Sequence, residues 1–180
     1  MPRPGRYAYL GIAWLAPPID HADTAAVDLL VAILGHSRTS RLTQTLRDRL
    51  GLVTSVGSAY AALEGAGTVT VTAQLEPGNA ERAEAEILRE VVRLQDDGVD
   101  EAERRRAITA AEARHEFSME TAEGRAFALG RAETVWRLEE ELAYLDRLRA
   151  VSLEQIRLAA RRYLDPTRYA RLTFVSASRP

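Results

Sequence analysis

The sequence predicts an α+β fold: a largely antiparallel sheet packed on one side by a layer of helices. Three observations carry this. Apolar residues alternate with period two near both ends of the chain and in a hairpin at its middle. Segments with helical spacing, most of them opened by a capping signature, fill the stretches between. In the hairpin's second strand Val69, Val71, Ala73 and Leu75 alternate with Thr68, Thr70, Thr72 and Gln74, so the sheet has one wet side.

Residues 7 to 16 read as the first strand, with Ala8, Leu10, Ile12, Trp14 and Ala16 on one face and Tyr7, Tyr9, Ala13 and Leu15 on the other. Both faces are apolar, which predicts a central strand. After Pro17 and Pro18, Asp20 or Asp23 caps a helix with Val27, Leu30, Val31 and Leu34 on its stripe and Gly35 as its stop. Ser40 offers an N-cap for a shorter helix with a Leu42, Leu46, Leu50 stripe, ended by Gly51. A hairpin over 52–62 and 66–76 follows. Asn79 caps a helix with Ala83, Ile87, Val91 and Leu94 inward, closed by Gly98. Asp100 with Glu103 makes a capping box for a helix running to about Met119. Further helices begin near Thr121 and Leu138, and Ser152 with Gln155 boxes the last, which stops at Asp165-Pro166. A final strand spans 169–175, with Leu172 and Phe174 on one face and Arg171 and Thr173 on the other.

At 180 residues, 46% of them hydrophobic, the chain suits one domain over 1–180 with a sizeable core. No repeat or linker divides it. Cysteine is absent, which excludes disulfides, thiolate zinc sites and cysteine nucleophiles. Lysine is absent too: all 24 basic residues are arginine, excluding a P-loop lysine and any Schiff-base chemistry. A composition rich in arginine and alanine fits a GC-rich, bacterial genome. The net charge of -2 recruits neither nucleic acid nor anionic lipid, and prolines cut the first apolar run too short for a membrane span. The compartment, cytoplasm or periplasm, is left open.

No complete catalytic set is legible. His21, His36 and His115 have no second histidine at metal spacing, and no Gly-x-Ser-x-Gly elbow supports a serine triad. Arg104, Arg105 and Arg106 lie among Glu101, Glu103 and Glu112 and read as a solvated helix face. Glu139, Glu140 and Glu141 read as first-turn glutamates favoured by the helix dipole. Arg47 stands about 100° around its helix from Leu46, near the C-terminal end. It is either a structural cation at a helix end or a fork of donors able to grip a carbonyl or carboxylate.

At this stretch the chain resembles the second, non-catalytic domain of the pitrilysin/insulinase zinc peptidases. The carrying residues are Ser40-Arg41-Leu42, Leu46-Arg47, Gly51-Leu52 and Ser55-Val56, followed by Gly98-Val99 before the Asp100 helix. Ser152 to Ile156, leading to Tyr163-Leu164-Asp165-Pro166, completes the series. Their order covers about residues 7 to 176 and implies the metallopeptidase fold of the mitochondrial processing peptidase group. The resemblance implies no cofactor in this chain. It implies zinc in a partner catalytic domain bearing a His-x-x-Glu-His motif, a chamber closed around a peptide substrate, and self-pairing as a dimer as a further option. It assigns substrate contacts to Arg47 and to position 54, where the family has a tyrosine and this chain has Thr54. Thr54 keeps a hydroxyl without the ring's reach. Strict alternation puts Tyr60 on the same face as Thr54 but about 20 Å away, too far to substitute. The parent is then either a peptidase with altered chemistry or an inactive scaffold or assembly subunit.

Overall fold

The central strand follows from its two apolar faces. In the computed structural model, which describes residues 7–175, β1 (Ala8–Ala16) lies between β3 (Gly67–Leu75) and β4 (Ala170–Val175). The hairpin partner β2 (Val53–Ala62) pairs with β3, and the four antiparallel strands run in the order β2-β3-β1-β4. The intervening chain forms α1 (Thr24–Gly35), a π-helix (Thr43–Arg49), α2 (Ala80–Asp96), α3 (Glu101–Met119) and α4 (Ala122–Val135). After these come α5 (Leu138–Leu142), α6 (Tyr144–Ala150) and α7 (Leu153–Tyr163). The α+β architecture is as the sequence predicts.

The core is a single layer between sheet and helices. Leu10, Ile12 and Trp14 of β1 and Val69, Val71 and Leu75 of β3 meet Leu30 and Leu34 of α1, Ile87 and Val91 of α2 and Ile156 of α7, all fully buried. Each such side chain contributes roughly 1.5–3 kcal/mol. Trp14 Nε1 donates to the Asp165 carbonyl at 2.9 Å, fixing the turn that leads into β4.

Both predicted capping boxes form, Asp100 with Glu103 and Ser152 with Gln155. Gly51 and Gly98 take φ of 61° and 73°, the left-handed stops their positions require. Gly35 does something else. It is the last residue of α1, without positive φ, and a Cβ there would lie 2.7 Å from Ser58 Oγ and 2.8 Å from its backbone nitrogen. Its lack of a side chain lets α1 touch β2, where the Ser58 hydroxyl donates to the Val31 carbonyl at 2.8 Å.

Three expected caps differ. Asp23 stands at the start of α1 but makes no cap bond; its Oδ2 accepts from the Tyr163 hydroxyl at 2.7 Å and from Arg162 at 3.0 Å, joining α1 to α7. Asn79 precedes α2, also without a cap bond, and donates to the Leu52 carbonyl at 3.3 Å. The Ser40 hydroxyl donates back to the Ser37 carbonyl at 2.7 Å. The helix after it widens into π geometry, its end marked by the Leu50 N–H bonding Thr45 O at 3.0 Å. A wider turn needs more residues per revolution, so Leu42 and Leu46 stay buried while Leu50 rotates to a half-buried position.

Candidate functional site

The arginines around the π-helix have different partners. Arg41 binds Glu103 with two prongs, Nε to Oε1 and Nη2 to Oε2, each at 2.7 Å, and reaches the Gly98 carbonyl at 2.8 Å. It ties the start of this helix to the first turn of α3, and Glu103 serves it rather than the neighbouring arginine run. Arg49 Nη2 donates to Thr45 Oγ1 at 3.3 Å, and that hydroxyl donates to the buried Glu90 carboxylate at 2.9 Å. Both are structural cations. Arg47 bonds its own neighbour, Nε to Asp48 Oδ1 at 2.8 Å, with the two side chains 33% and 51% exposed. That hydrogen bond raises the guanidinium's pKa and holds Asp48 below the usual carboxylate range. The terminal nitrogens of Arg47 have no partner among the described residues and remain a free fork of donors.

Thr54 sits five residues after Arg49, in a β-bulge at the start of the edge strand β2: the register jumps between Val53, opposite Leu75, and Ser55, opposite Gln74. The exposed Thr54 hydroxyl donates to the Gln74 carbonyl at 3.0 Å. No hydrogen bond joins it to Arg47 among the described residues. The bulge also changes the parity of the rest of the strand. Tyr60, expected on the face of Thr54, instead turns to the helix side opposite buried Val69, with its hydroxyl donating to the Pro17 carbonyl at 2.7 Å.

Among the described residues the helices cover one face of the sheet only, and the register defines the other. Along β1 it presents Tyr9, Gly11, Ala13 and Leu15; these stand opposite Gln74, Thr72, Thr70 and Thr68 of β3. Continuing outward, β2 adds Ser55, Gly57, Ala59 and Ala61, while β4 adds Ala170, Leu172 and Phe174. None of these residues carries a charge at neutral pH, in a chain that is 28% charged. Leu15, Leu172 and Phe174 are 79%, 70% and 61% exposed. The outward face read as wet is thus neutral, hydroxyl-lined across β3 and apolar towards β4. Arg171, on the opposite face of β4, pairs with Glu84 of α2 at 2.8 Å.

On the helix side, Asp28 of α1 is half-buried between two cavities of about 490 and 260 Å³, both also lined by Tyr60 and Tyr144. Burial pushes its carboxyl up to about 6 against the opposing pull of the Tyr144 hydroxyl, Arg114 and Arg131. His36, at the end of α1, contacts Arg114 and has its pKa lowered, first by burial and then by that guanidinium. Arg104 pairs with Glu101 at 3.0 Å and bonds the Val151 carbonyl, while Glu112 goes to Arg149 at 2.8 Å. Among the described residues no three histidines, aspartates or glutamates are grouped to hold a metal ion, so the donor set here does not fit zinc. No helix among them is long and apolar enough to cross a membrane.

Residues 2–111 match the family model described as the peptidase M16 inactive domain. No curated protein matches. Among solved structures, an inactive peptidase domain of a candidate zinc protease from Bordetella parapertussis superposes with a TM-score of 0.86 at 20% identity, covering 100% of this chain and 98% of that one. A protease from Helicobacter pylori gives a TM-score of 0.86 at 18% identity over 96% of this chain, which spans 42% of that protein's length. A peptidase M16 inactive domain from Pseudomonas fluorescens gives 0.79 at 21% identity, over 95% of this chain and 41% of that one. At these identities the likeness shows the fold.

Proposed function

Because this chain belongs to the peptidase M16 inactive-domain family, the zinc-free second domain of pitrilysin-type peptidases, we propose that it walls a peptidase chamber and orients peptide for a metal site supplied by another domain. The observation that carries this reading is the uncharged, exposed face of the sheet. A bare apolar and hydroxyl-bearing surface of this extent costs solubility unless something covers it. Facing a peptide, it would desolvate no charge of its own, and its threonine hydroxyls offer hydrogen bonds to a peptide backbone. Arg47 supplies free guanidinium donors for a peptide carbonyl or carboxylate. Thr54 contributes a hydroxyl oxygen as acceptor only, its proton being engaged by Gln74. In the assembled enzyme the partner's zinc supplies activated water; this chain's residues hold the peptide and exclude solvent.

The test is reconstitution. Co-expression with a neighbouring coding sequence that carries a His-x-x-Glu-His helix is expected to give a complex in which zinc copurifies with the partner. Peptidase activity is expected only when both are present. An equally active partner alone contradicts the reading.

The engaged Thr54 hydroxyl favours a second reading, a scaffold or assembly subunit without peptide contact. It predicts a stable complex whose activity is indifferent to Arg47.

A further inference from the structure

Asp28 is the only charged residue of α1, a helix with ten of its twelve residues buried. A carboxylate can accept up to about four hydrogen bonds; among the described residues this one accepts a single bond, from the Tyr144 hydroxyl at 3.3 Å. Arg114 and Arg131 act on it through space without pairing with it. The acid thus stands with its charge unmet on the wall of the larger cavity, of about 490 Å³. Arg114 of α3 lines the same cavity. Its Nη1 donates to His36 Nε2 and its Nε to the Ala110 carbonyl at 3.4 Å, while Nη2 has no partner among the described residues. His36 is held below its usual pKa and is neutral at pH 7, so the guanidinium charge is unmet as well. Histidines apart, Asp28 and Arg114 are the only charged residues lining the cavity among those described, and Leu29, Val31, Ala59 and Leu148 make much of the remaining wall.

We propose that this cavity binds a small zwitterion of the amino-acid class, its ammonium at Asp28, its carboxylate at Arg114 and an apolar side chain against Leu29 and Leu148. One anion and one cation that share a cavity without pairing select a ligand that carries both charges. A lone amine, such as a lysine side chain from a partner domain, would leave Arg114 unmet, and a lone carboxylate would leave Asp28 unmet. A zwitterion gives each charge its opposite, in charge-assisted hydrogen bonds. The volume lies within the range of about 300–1,000 Å³ usual for small-molecule sites. Burial raises the Asp28 carboxyl to about 6, which leaves it ionised at neutral pH. The cavity is on the helix side, apart from the sheet face proposed for the chamber, and stands or falls independently of it.

Isotope-labelled full chain titrated at neutral pH with leucine, leucinamide, N-acetylleucine and aspartate tests this, with backbone amide shifts and calorimetry as readouts. Leucine should shift the amides of residues 28–32 and 111–115. It should bind about tenfold or more tighter than leucinamide, which lacks the carboxylate, and than N-acetylleucine, which lacks the ammonium. Aspartate should also bind about tenfold or more weaker, since its second carboxylate would be desolvated against an apolar wall. Asp28→Asn keeps the side chain's shape and should bring leucine down to the level of N-acetylleucine. Arg114→Gln, at an exposed position, should bring leucine down to the level of leucinamide. Circular dichroism checks that both variants fold. If the three leucine compounds bind alike, or leucine shifts no amide in these segments, the proposal is overturned while the chamber reading stands.

Discussion

The Thr54 hydroxyl donates to the Gln74 carbonyl at 3.0 Å, across a bulge that sets two residues of β2 against one of β3. This bond pins the place where β2 changes parity, and so decides that Ser58 and Tyr60 face the helices. Thr54→Val removes the hydroxyl at nearly constant volume and is expected to cost about 1 kcal/mol in urea unfolding, while Thr54→Ser stays near wild type. Equal stability of all three would mean the bulge is held by strand pairing alone.

Arg41 and Glu103 form the ion pair with the most consequence for the fold. Their side chains are 20% and 14% exposed, and Arg41→Ala leaves Glu103 largely desolvated, so a loss of about 2–3 kcal/mol is expected. Burial pushes the Glu103 carboxyl up, but Arg41 and the Asp100 N–H outweigh it, and the net shift is downward. A depressed carboxyl stabilises the fold above its ordinary value of 4.5, and that contribution is lost as pH falls through the lowered folded value. The gap between wild type and Arg41→Ala in chemical denaturation should therefore narrow as pH falls below the ordinary value of 4.5.

Asp28 has the opposite sign. Its carboxyl, raised from 3.8 to about 6, favours the fold most below the unfolded value, and stability falls as pH rises from 3.8 through 6. Allowing for its partial exposure, Asp28→Asn should gain about 1–2 kcal/mol on wild type between pH 4 and pH 7. A pH-independent difference would show that Asp28 titrates normally.

Among the described residues Arg47 pairs only with exposed Asp48, so Arg47→Ala should leave the unfolding midpoint of the isolated chain unchanged. In the reconstituted enzyme it should lower kcat/KM about tenfold. Unchanged activity would favour the scaffold reading.

Much of the fold was legible because it rests on local signals. The β1 alternation placed a central strand, both capping boxes named their helices, and Gly51 and Gly98 marked true stops. What escaped were long-range contacts. Gly35 reads as a helix stop because its reason, the Ser58 backbone, lies 23 positions away in sequence. Asp23 reads as a cap because Tyr163 and Arg162 are brought to it only by packing. Alternation assigns Tyr60 to the wrong face because a bulge leaves no signature in the residue pattern. For the site, the family pattern pointed to Arg47 and Thr54, whereas the neutrality of the bare face emerges only when four separate strands are set in register.

If the chain works through its bare sheet face, a charge at the centre of that face should disable it. Thr72 is exposed and stands between Gly11 and Gly57, so Thr72→Glu should fold with an unchanged unfolding midpoint yet lose tenfold or more of the reconstituted peptidase activity. Full activity from the folded Thr72→Glu variant would contradict the claim.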